Sequence, residues 1–484
     1  MKRYRIQCKY DVIYFVLHIV NIRFCNNQDI LTMPEINLPS TSAMLSKDFL
    51  FGVATSSFQI EGDRGGRLDC IWDTFCAEEN TISDSTNGDI ACDHVKLWKQ
   101  DIELIDSLGL DAYRLSISWP RVMNQDGTVN EVGMQFYVNL VNEVVGRGMK
   151  VFVTLYHWDL PQHLEDNGGW LNRDTAFEFE KYAEAVASTL GEKVYSYATL
   201  NEPFCSAYLG YEEGIHAPGK TGMANGRRAA HHLLLAHGLA LKVLKRLCPN
   251  SKNGIVLNFS NCHTIGSDSN DLEAAKLADE YHNQWYLQPI IDGKYPDVIE
   301  RLDPDVRPEI LDGDMDLISQ PIDYLGINFY TRTLYKSDGA GWFEVVPPAT
   351  TELTAMGWEI TPDAFTELLV DLNQRYALPP IYITENGAAM NDELIGGEVK
   401  DDDRTAYFHT HLNAVDEAMK QGVDIRGYFA WSLMDNFEWA LGYSKRFGIV
   451  YVDYETQKRT LKQSALAYSK LVKSRVNGYI SGIK

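Results

Sequence analysis

The sequence lacks the patterns that mark several large classes of protein. Positive charge is scarce, since 44 Lys and Arg stand against 67 Asp and Glu, for a formal net charge of −23. That balance argues against nucleic acid and anionic membrane surfaces as partners. The eight cysteines include no CxxC pair and no cluster with histidine at zinc-site spacing. Such scattered cysteines are typical of free thiols in a reducing compartment, and we expect a cytoplasmic protein that holds no metal.

Long apolar runs are also missing, with one exception near the N-terminus. Residues 10–22 are mostly apolar, but three polar side chains interrupt them and they are too short to span a bilayer. No small-residue cleavage site follows, which weakens the case for a signal peptide. We therefore expect residues 1–45 to be an extension that is disordered or precedes the true start. Residues 46–484 should form one folded domain, because no linker or low-complexity segment interrupts them.

What the sequence does contain is a repeated alternation of short β-rich apolar runs with helical patterns. The composition, 45% hydrophobic and 23% charged, is that of a soluble globular chain. Eight parallel strands, each apolar on both faces and each followed by a helix, predict a closed (β/α)8 TIM barrel of the α/β class. A doubly wound sheet is the alternative. The eight runs lie at residues 50–57, 112–119, 150–158, 194–201, 254–260, 323–330, 380–387 and 427–435.

Polar side chains stand at or just beyond the ends of most of these runs. In a TIM barrel the chemistry lies at the C-terminal mouth, where the strands end and the βα loops begin. We expect these side chains to converge there on one site. In strand order they are Gln59, Arg114, His157, Asn201 and Glu202, Tyr330, Glu385, and Trp431 with Glu438 and Trp439.

Two of these residues form a pair that suggests a reaction. Glu202 in TLNEP and Glu385 in ITENG lie at the ends of different strands, and each has an asparagine beside it. Glycoside hydrolysis requires two carboxyl groups on either side of the sugar, one to protonate the leaving oxygen and one to attack or to activate water. Either glutamate could instead be an ordinary surface acid at a loop start, and the two residues alone leave both possibilities open.

Four segments together resemble glycoside hydrolase family 1, the β-glucosidase family. They are TLNEP (199–203), ITENG (383–387), FGVATSSFQIEG (51–62) and WSLMDNFEWALGYSKRFGIVYVDY (431–454). The resemblance covers nearly the whole chain from about residue 47. It implies a TIM barrel and a retaining double-displacement reaction that uses neither a cofactor nor a metal.

The resemblance also implies a role for each site residue. Glu202 matches the general acid/base and Glu385 the nucleophile, while Arg114 and Tyr330 match the partners of the nucleophile. Carboxylic acids in such roles need different surroundings, one favouring the protonated form and one the ionised form. The positions that match the family's substrate contacts are Gln59, His157, Asn201, Asn328, Trp358, Trp431, Glu438 and Trp439, with Trp358 as the leaving-group platform.

The implied activity is that of a retaining β-glucosidase. It would release terminal β-D-glucosyl residues from β-glucosides and short oligosaccharides such as cellobiose, with β-galactosidase and β-fucosidase side activity. One alternative is a 6-phospho-β-glucosidase, favoured by Lys445 and Arg446 but opposed by Glu438 and Phe447, because family members acting on phosphosugars differ at those two positions. The other is an inactive sugar-binding barrel, which the presence of both glutamates opposes. The sequence predicts a small-molecule glycoside as partner and no particular oligomeric state.

Overall fold

The eight apolar runs form eight parallel strands that close into a barrel in the order of the chain. The computed structural model describes residues 34–475. The predicted (β/α)8 barrel is therefore confirmed, and the doubly wound sheet is excluded. The strands are β1 (Leu50–Ala54), β2 (Ala112–Ser116), β3 (Lys150–Tyr156), β4 (Ser196–Asn201), β5 (Lys252–Phe259), β6 (Tyr324–Phe329), β7 (Ile381–Asn386) and β8 (Ile425–Trp431).

A helix returns the chain after each strand and packs on the outside of the barrel. In the first of these helices Ile102 and Ile105 are fully buried, as the apolar stripe of that segment predicts. The eight helices are α1 (His94–Ser107), α2 (Glu131–Gly146), α3 (Asp174–Leu190), α4 (Met223–Leu247), α5 (Ser269–Asp279), α6 (Pro362–Arg375), α7 (Asp402–Lys420) and α8 (Gln463–Lys473).

Shorter elements build the loops between them. The short α-helices are Ser57–Ile60, Ile71–Ala77, Trp119–Val122, Gln162–Asp166, Trp285–Asp292 and Asp314–Ile318, and the π-helical segments are Cys205–Leu209 and Glu280–Gln284. The 3-10 turns are Ala43–Leu45, Arg64–Gly66, Gly169–Leu171, Gly191–Lys193, Asp297–Arg301 and Trp439–Leu441. Outside the barrel the strands are Cys262–His263, Thr333–Ser337, Phe343–Val346, Leu394–Ile395, Glu398–Val399, Val450–Val452 and Arg459–Leu461.

Apolar side chains fill the barrel from within as well as from outside. Phe152 packs edge-on against Tyr382 at 5.3 Å and against Phe429 at 4.7 Å between ring centroids, and together these rings plug the interior. A larger apolar layer lies between the strands and the helices. With the interior filled, the mouth formed by the strand ends is the place where the barrel can hold a ligand.

The predicted extension at residues 1–45 is described only in part, because residues 1–33 lie outside the described range. Beyond them Ile36 and Met44 are buried, and the Asn37 carbonyl accepts a hydrogen bond of 3.0 Å from Asn413 on α7. The boundary at residue 45 stays a prediction. Between residues 34 and 475, no helix combines the length and the apolar character that crossing a bilayer requires.

Candidate active site

The strand that ends in TLNEP delivers Glu202 through a local irregularity. The pairing of β4 with β5 shifts register between Ala198 and Asn201, and such irregularities re-aim side chains next to active sites. Glu202 then takes a left-handed backbone conformation, with φ of 45°. The next residue, Pro203, opens a helix, a position that suits proline because no amide proton is needed there. The Asn-Glu-Pro order therefore turns the chain sharply from strand to helix with the glutamate at the corner.

The strand that ends in ITENG is irregular in the same way. The pairing of β7 with β6 shifts between Ile383 and Glu385, and Glu385 lies opposite Asn328. The glycine of the motif is required by a close approach, since a Cβ on Gly387 would lie 1.8 Å from the carbonyl oxygen of Trp431. Both glutamates are buried, with Glu202 5% and Glu385 3% exposed. The barrel thus brings the two predicted carboxyl groups to one mouth from β4 and β7.

Glu385 is held by a cation and a phenol. The guanidinium of Arg114 donates a 2.6 Å hydrogen bond to Oε1, and the Tyr330 hydroxyl donates one of 2.6 Å to Oε2. Burial and the charge of Glu385 raise the pKa of Tyr330 well above its usual value, so the phenol keeps its proton and remains a donor. Both carboxylate oxygens therefore face donors, one of them charged, which is an environment for an ionised carboxylate.

Glu202 accepts hydrogen bonds from neutral groups instead. The Asn328 amide donates a 2.6 Å hydrogen bond to Oε1, and the Cys205 thiol donates one of 3.1 Å to Oε2. Burial, and after it the negative charge of Glu385, raises the pKa of Glu202 to about 7. At neutral pH this carboxyl group therefore carries a proton for a substantial part of the time.

Asn201 connects the two glutamates through a hydrogen-bond network. Its Oδ1 accepts bonds of 2.7 Å from Arg114 and 3.1 Å from Asn328, so it touches one partner of each glutamate. Its Nδ2 lies 3.1 Å from Nε2 of His157. Asn328 is fixed in turn, because Thr384 donates a 2.7 Å bond to its Oδ1. The network fixes the relative placement of the carboxyl groups without a solvent-exposed link.

Five of the expected substrate-contacting side chains, Gln59, His157, Trp431, Glu438 and Trp439, follow or end β1, β3 and β8. The His157 ring is nearly parallel to two indoles, with centroids 5.9 Å from Trp431 and 5.9 Å from Trp439. Its Nδ1 is buried and has no hydrogen-bond partner among residues 34–475, and burial lowers the pKa of His157 well below its usual value. A neutral imidazole with one free nitrogen can hydrogen-bond a sugar hydroxyl. Gln59 is oriented by bonds of 3.0 Å to Asn436 and 2.8 Å to the Phe437 carbonyl.

A third carboxyl group lies near Glu202 and Glu385. It belongs to Glu438, on the loop after β8. Burial raises its pKa to about 8, with the charges of Glu385 and Glu202 as further causes. Its neighbour Trp439 has a left-handed backbone, with φ of 47°, and lies over Phe58 with nearly parallel rings 6.0 Å apart. Strained backbone at a ligand-facing residue persists only where the surroundings hold it, as the packing of Trp439 does here.

Trp358 lies at the opposite edge of the mouth. Its ring centroid is 5.6 Å from that of Tyr330 and 6.2 Å from that of Phe447. Lys445, on the loop after β8, donates a 2.7 Å bond to the carbonyl of Ala355, three residues before Trp358. All twelve predicted site residues therefore lie at one mouth. Between residues 34 and 475 no group of three or more His, Cys, Asp or Glu could hold a metal ion.

Sequence reasoning missed several residues that shape the site. Cys205 contacts Glu202 directly, and Trp158 donates a 2.9 Å bond to the Asn201 carbonyl. Both had a signal in the sequence, since each stands within three residues of a predicted site residue. Asn436 accepts from Gln59 and donates a 2.9 Å bond to Ser432. These two residues also stand within two positions of predicted site residues, but only the path of the loop shows that they support Gln59.

Comparison with known proteins gives the same assignment as this geometry. The model of the family described as glycosyl hydrolase family 1 matches residues 41–477. The chain belongs to this family. It is therefore a glycoside hydrolase, and the resemblance seen in its motifs is confirmed.

Individual family members match over almost their whole length. A β-glucosidase from an Agrobacterium strain is 43% identical over 443 residues, which cover 90% of this chain and 96% of that protein. A bifunctional β-D-glucosidase/β-D-fucosidase from Bifidobacterium breve is 43% identical over 457 residues, covering 88% of this chain and 97% of that protein. The crystal structure of a β-glucosidase from Exiguobacterium antarcticum has a TM-score of 0.86 at 43% identity, covering 89% of this chain and 98% of that chain.

Proposed function

We propose that this protein is a retaining β-glucosidase with Glu202 as acid/base and Glu385 as nucleophile. In the first step Glu202 protonates the glycosidic oxygen while a Glu385 oxygen attacks the anomeric carbon, which releases the aglycone and leaves a glucosyl ester on Glu385. In the second step ionised Glu202 takes a proton from water, whose oxygen displaces Glu385 from the sugar. The observation that carries this proposal is the contrast between the charged and phenolic donors on Glu385 and the two neutral donors on the buried Glu202.

We propose that the sugar lies between the indoles and the polar side chains of the mouth. Trp431 and Trp439 offer apolar faces to the ring, while Gln59 and His157 offer hydrogen bonds to its hydroxyls. The Glu438 carboxyl group can bind two hydroxyls at once. Asn201 would bind the 2-hydroxyl, a contact that strengthens as positive charge develops in the transition state.

The aglycone would extend past Trp358, whose ring lies beside that of Tyr330. We expect cellobiose and other short β-glucosides as substrates. The Bifidobacterium breve relative, whose name includes β-D-fucosidase activity, supports the expectation that β-fucosides are also cleaved. We also expect side activity on β-galactosides, which differ from β-glucosides in the orientation of the 4-hydroxyl.

A 6-phospho-β-glucosidase is disfavoured by the contacts of the two basic residues that suggested it. Lys445 donates to the Ala355 carbonyl, and Arg446 donates a 2.6 Å bond to Asp435. Both side chains therefore support loops. Glu438 adds a carboxyl group on the side of the mouth where a phosphate would need cations.

Initial rates on nitrophenyl β-glucoside, β-galactoside, β-fucoside and 6-phospho-β-glucoside test the proposed function. We expect hydrolysis of the first three and none of the phosphorylated substrate. Hydrolysis of the phosphorylated substrate alone would overturn the neutral-sugar assignment. A 2-fluoro-glucoside should add its glycosyl mass to the wild-type protein, and absence of both turnover and this adduct would favour an inactive sugar-binding barrel.

We propose a cytoplasmic location from the cysteines. Between residues 34 and 475 all six cysteines are free thiols, and four of them are buried. Cell fractionation with an antibody against the protein would test this, and recovery in the culture medium would contradict it.

A further inference from the structure

Cys205 contacts the proposed acid/base residue through both its main chain and its side chain. Its backbone N–H donates a 2.9 Å bond to the Glu202 carbonyl, and its Sγ lies 3.1 Å from Oε2 of Glu202. It is the first residue of the π-helical segment Cys205–Leu209, so the wider helical turn begins at this contact. Cys205 is only 8% exposed, so water is largely excluded from the sulfur.

The thiol keeps its proton and acts as the donor in this contact. Burial raises the pKa of Cys205 well above its usual value, and the charge of Glu202 raises it further. Glu202 is thus held by two neutral donors, the Asn328 amide on Oε1 and the Cys205 thiol on Oε2. Since both oxygens are held, the carboxyl group has a fixed orientation toward the mouth.

We propose that Cys205 is a positioning residue, whose weak S–H donor orients Glu202 while leaving it able both to carry and to release a proton. The inference rests on the proposed function, in which Glu202 acts as an acid in one step and as a base in the next. A strong donor on Oε2 would favour the ionised form and slow the acid step. A thiol is a weak donor and a weak acceptor, and it can therefore tolerate either form.

Replacement of the thiol gives opposite expectations for two variants. In Cys205→Ser a stronger hydroxyl donor stabilises ionised Glu202 and lowers its pKa. In Cys205→Ala the donor is lost and the pKa rises. The charged and titratable groups that also face Glu202 are Glu385, Arg114, Glu438 and Tyr330, and neither substitution alters them.

The test is the pH dependence of kcat/KM on two substrates. Cellobiose has a poor leaving group that needs a proton from Glu202, whereas the dinitrophenolate of 2,4-dinitrophenyl β-glucoside leaves without one. On cellobiose we expect the alkaline limb to move up by about 0.5 to 1 pH unit in Cys205→Ala, the value of one hydrogen bond, and down by a smaller amount in Cys205→Ser, where a stronger bond replaces a weaker one. On the dinitrophenyl substrate, whose leaving group does not need that proton, the pH profile of either variant should match that of wild type.

Cys248→Ser is the matched control. Cys248 is fully buried, its thiol donates to the Ala187 carbonyl at 3.7 Å, and it lies outside the site. Its profile should match wild type on both substrates.

The possible outcomes separate this inference from the proposed function. An unshifted limb in Cys205→Ser, or equal losses on both substrates at every pH, would overturn the inference while wild-type hydrolysis of cellobiose upheld the function. An inactive wild-type protein would overturn the proposed function and this inference with it. If Cys205→Ala failed to fold, the Cys205→Ser profile alone would decide.

Discussion

The ends of β4 and β7 are built alike in backbone and oppositely in chemistry. Each strand shifts register just before its glutamate, and each glutamate has an asparagine beside it. Yet Glu385 accepts from Arg114 and Tyr330, while Glu202 accepts from an amide and a thiol. The bulged strand end delivers a buried carboxyl group in both cases. Its neighbours decide whether that group favours the ionised or the protonated form.

The contrast also shows how two carboxyl groups can remain different while they share one pocket. Asn201 accepts from Arg114, a partner of Glu385, and from Asn328, a partner of Glu202. The charge of Glu385 raises the pKa of Glu202. Because one group's ionisation helps the other to stay protonated, changing one member of the pair at a time separates their contributions.

Replacing Glu385 with Gln removes one side of the contrast and should have the largest effect. The amide cannot form the glycosyl ester, so we expect kcat on nitrophenyl β-glucoside to fall by on the order of 10⁴-fold or more. Steady-state rates and a 2-fluoro-glucoside labelling experiment would measure it. Glu393→Gln, which changes an exposed glutamate, should keep the wild-type rate. Labelling of the Glu385→Gln protein would show that the nucleophile lies elsewhere.

Replacing Glu202 with Ala removes the other side and should affect substrates unequally. Cellobiose needs a proton on its leaving oxygen, so its kcat/KM should fall by roughly 10²- to 10⁴-fold, the usual contribution of acid–base catalysis. Formation of the glycosyl ester from a dinitrophenyl glucoside should be nearly unchanged. Azide should enter the vacated space and restore turnover of that substrate as a β-glucosyl azide. Equal losses on both substrates, with no azide effect, would refute the acid/base role.

Removing only the phenol from Glu385 weakens the contrast without abolishing it. Tyr330→Phe deletes a 2.6 Å bond to the carboxylate, and hydrogen bonds to charged groups contribute about 1.5 to 3 kcal/mol. We expect kcat to fall by about 10- to 100-fold, measured on nitrophenyl β-glucoside. Tyr376→Phe also deletes a 2.6 Å bond, to Gln284 away from the strand ends at the mouth, and should leave kcat unchanged. A Tyr330→Phe rate equal to that of this control would mean that the phenol does not assist Glu385.

The barrel and the glutamate pair were predictable because they depend on local patterns. Each strand is a short apolar run, and each polar residue that closes a run stands at the C-terminal end of a parallel strand, so the fold itself brings Glu202 and Glu385 together. The strand spans extend one to four residues too far at their C-terminal ends in several cases, as for 50–57 against Leu50–Ala54. The chain there leaves the barrel while its residues are still buried, as Thr55, Ser56 and Ser57 are.

The surroundings of each glutamate were only partly predictable. Arg114 and Tyr330 were assigned to Glu385 by resemblance, and the structure contains both contacts. The contacts of Asn328 and Cys205 with Glu202 depend on side-chain direction across a strand and around a helical turn. Sequence spacing does not specify these directions, because a register shift of one residue turns a side chain to the other face.

Trapping the glycosyl ester on Glu385 should change the pKa of Glu202, and this is the smallest of the expected effects. A 2-fluoroglucosyl group on Glu385 removes its negative charge, which is the second largest cause of the raised pKa of Glu202. The pKa of Glu202 should therefore fall below about 7 in the trapped protein, so that ionised Glu202 becomes available as the base for the second step. Carbon-13 NMR of labelled glutamate carboxyls, with Glu202 assigned by its absence in Glu202→Gln, would follow the titration before and after trapping. An unchanged or higher pKa would mean that burial alone sets the protonation of Glu202 and that Glu385 does not control it.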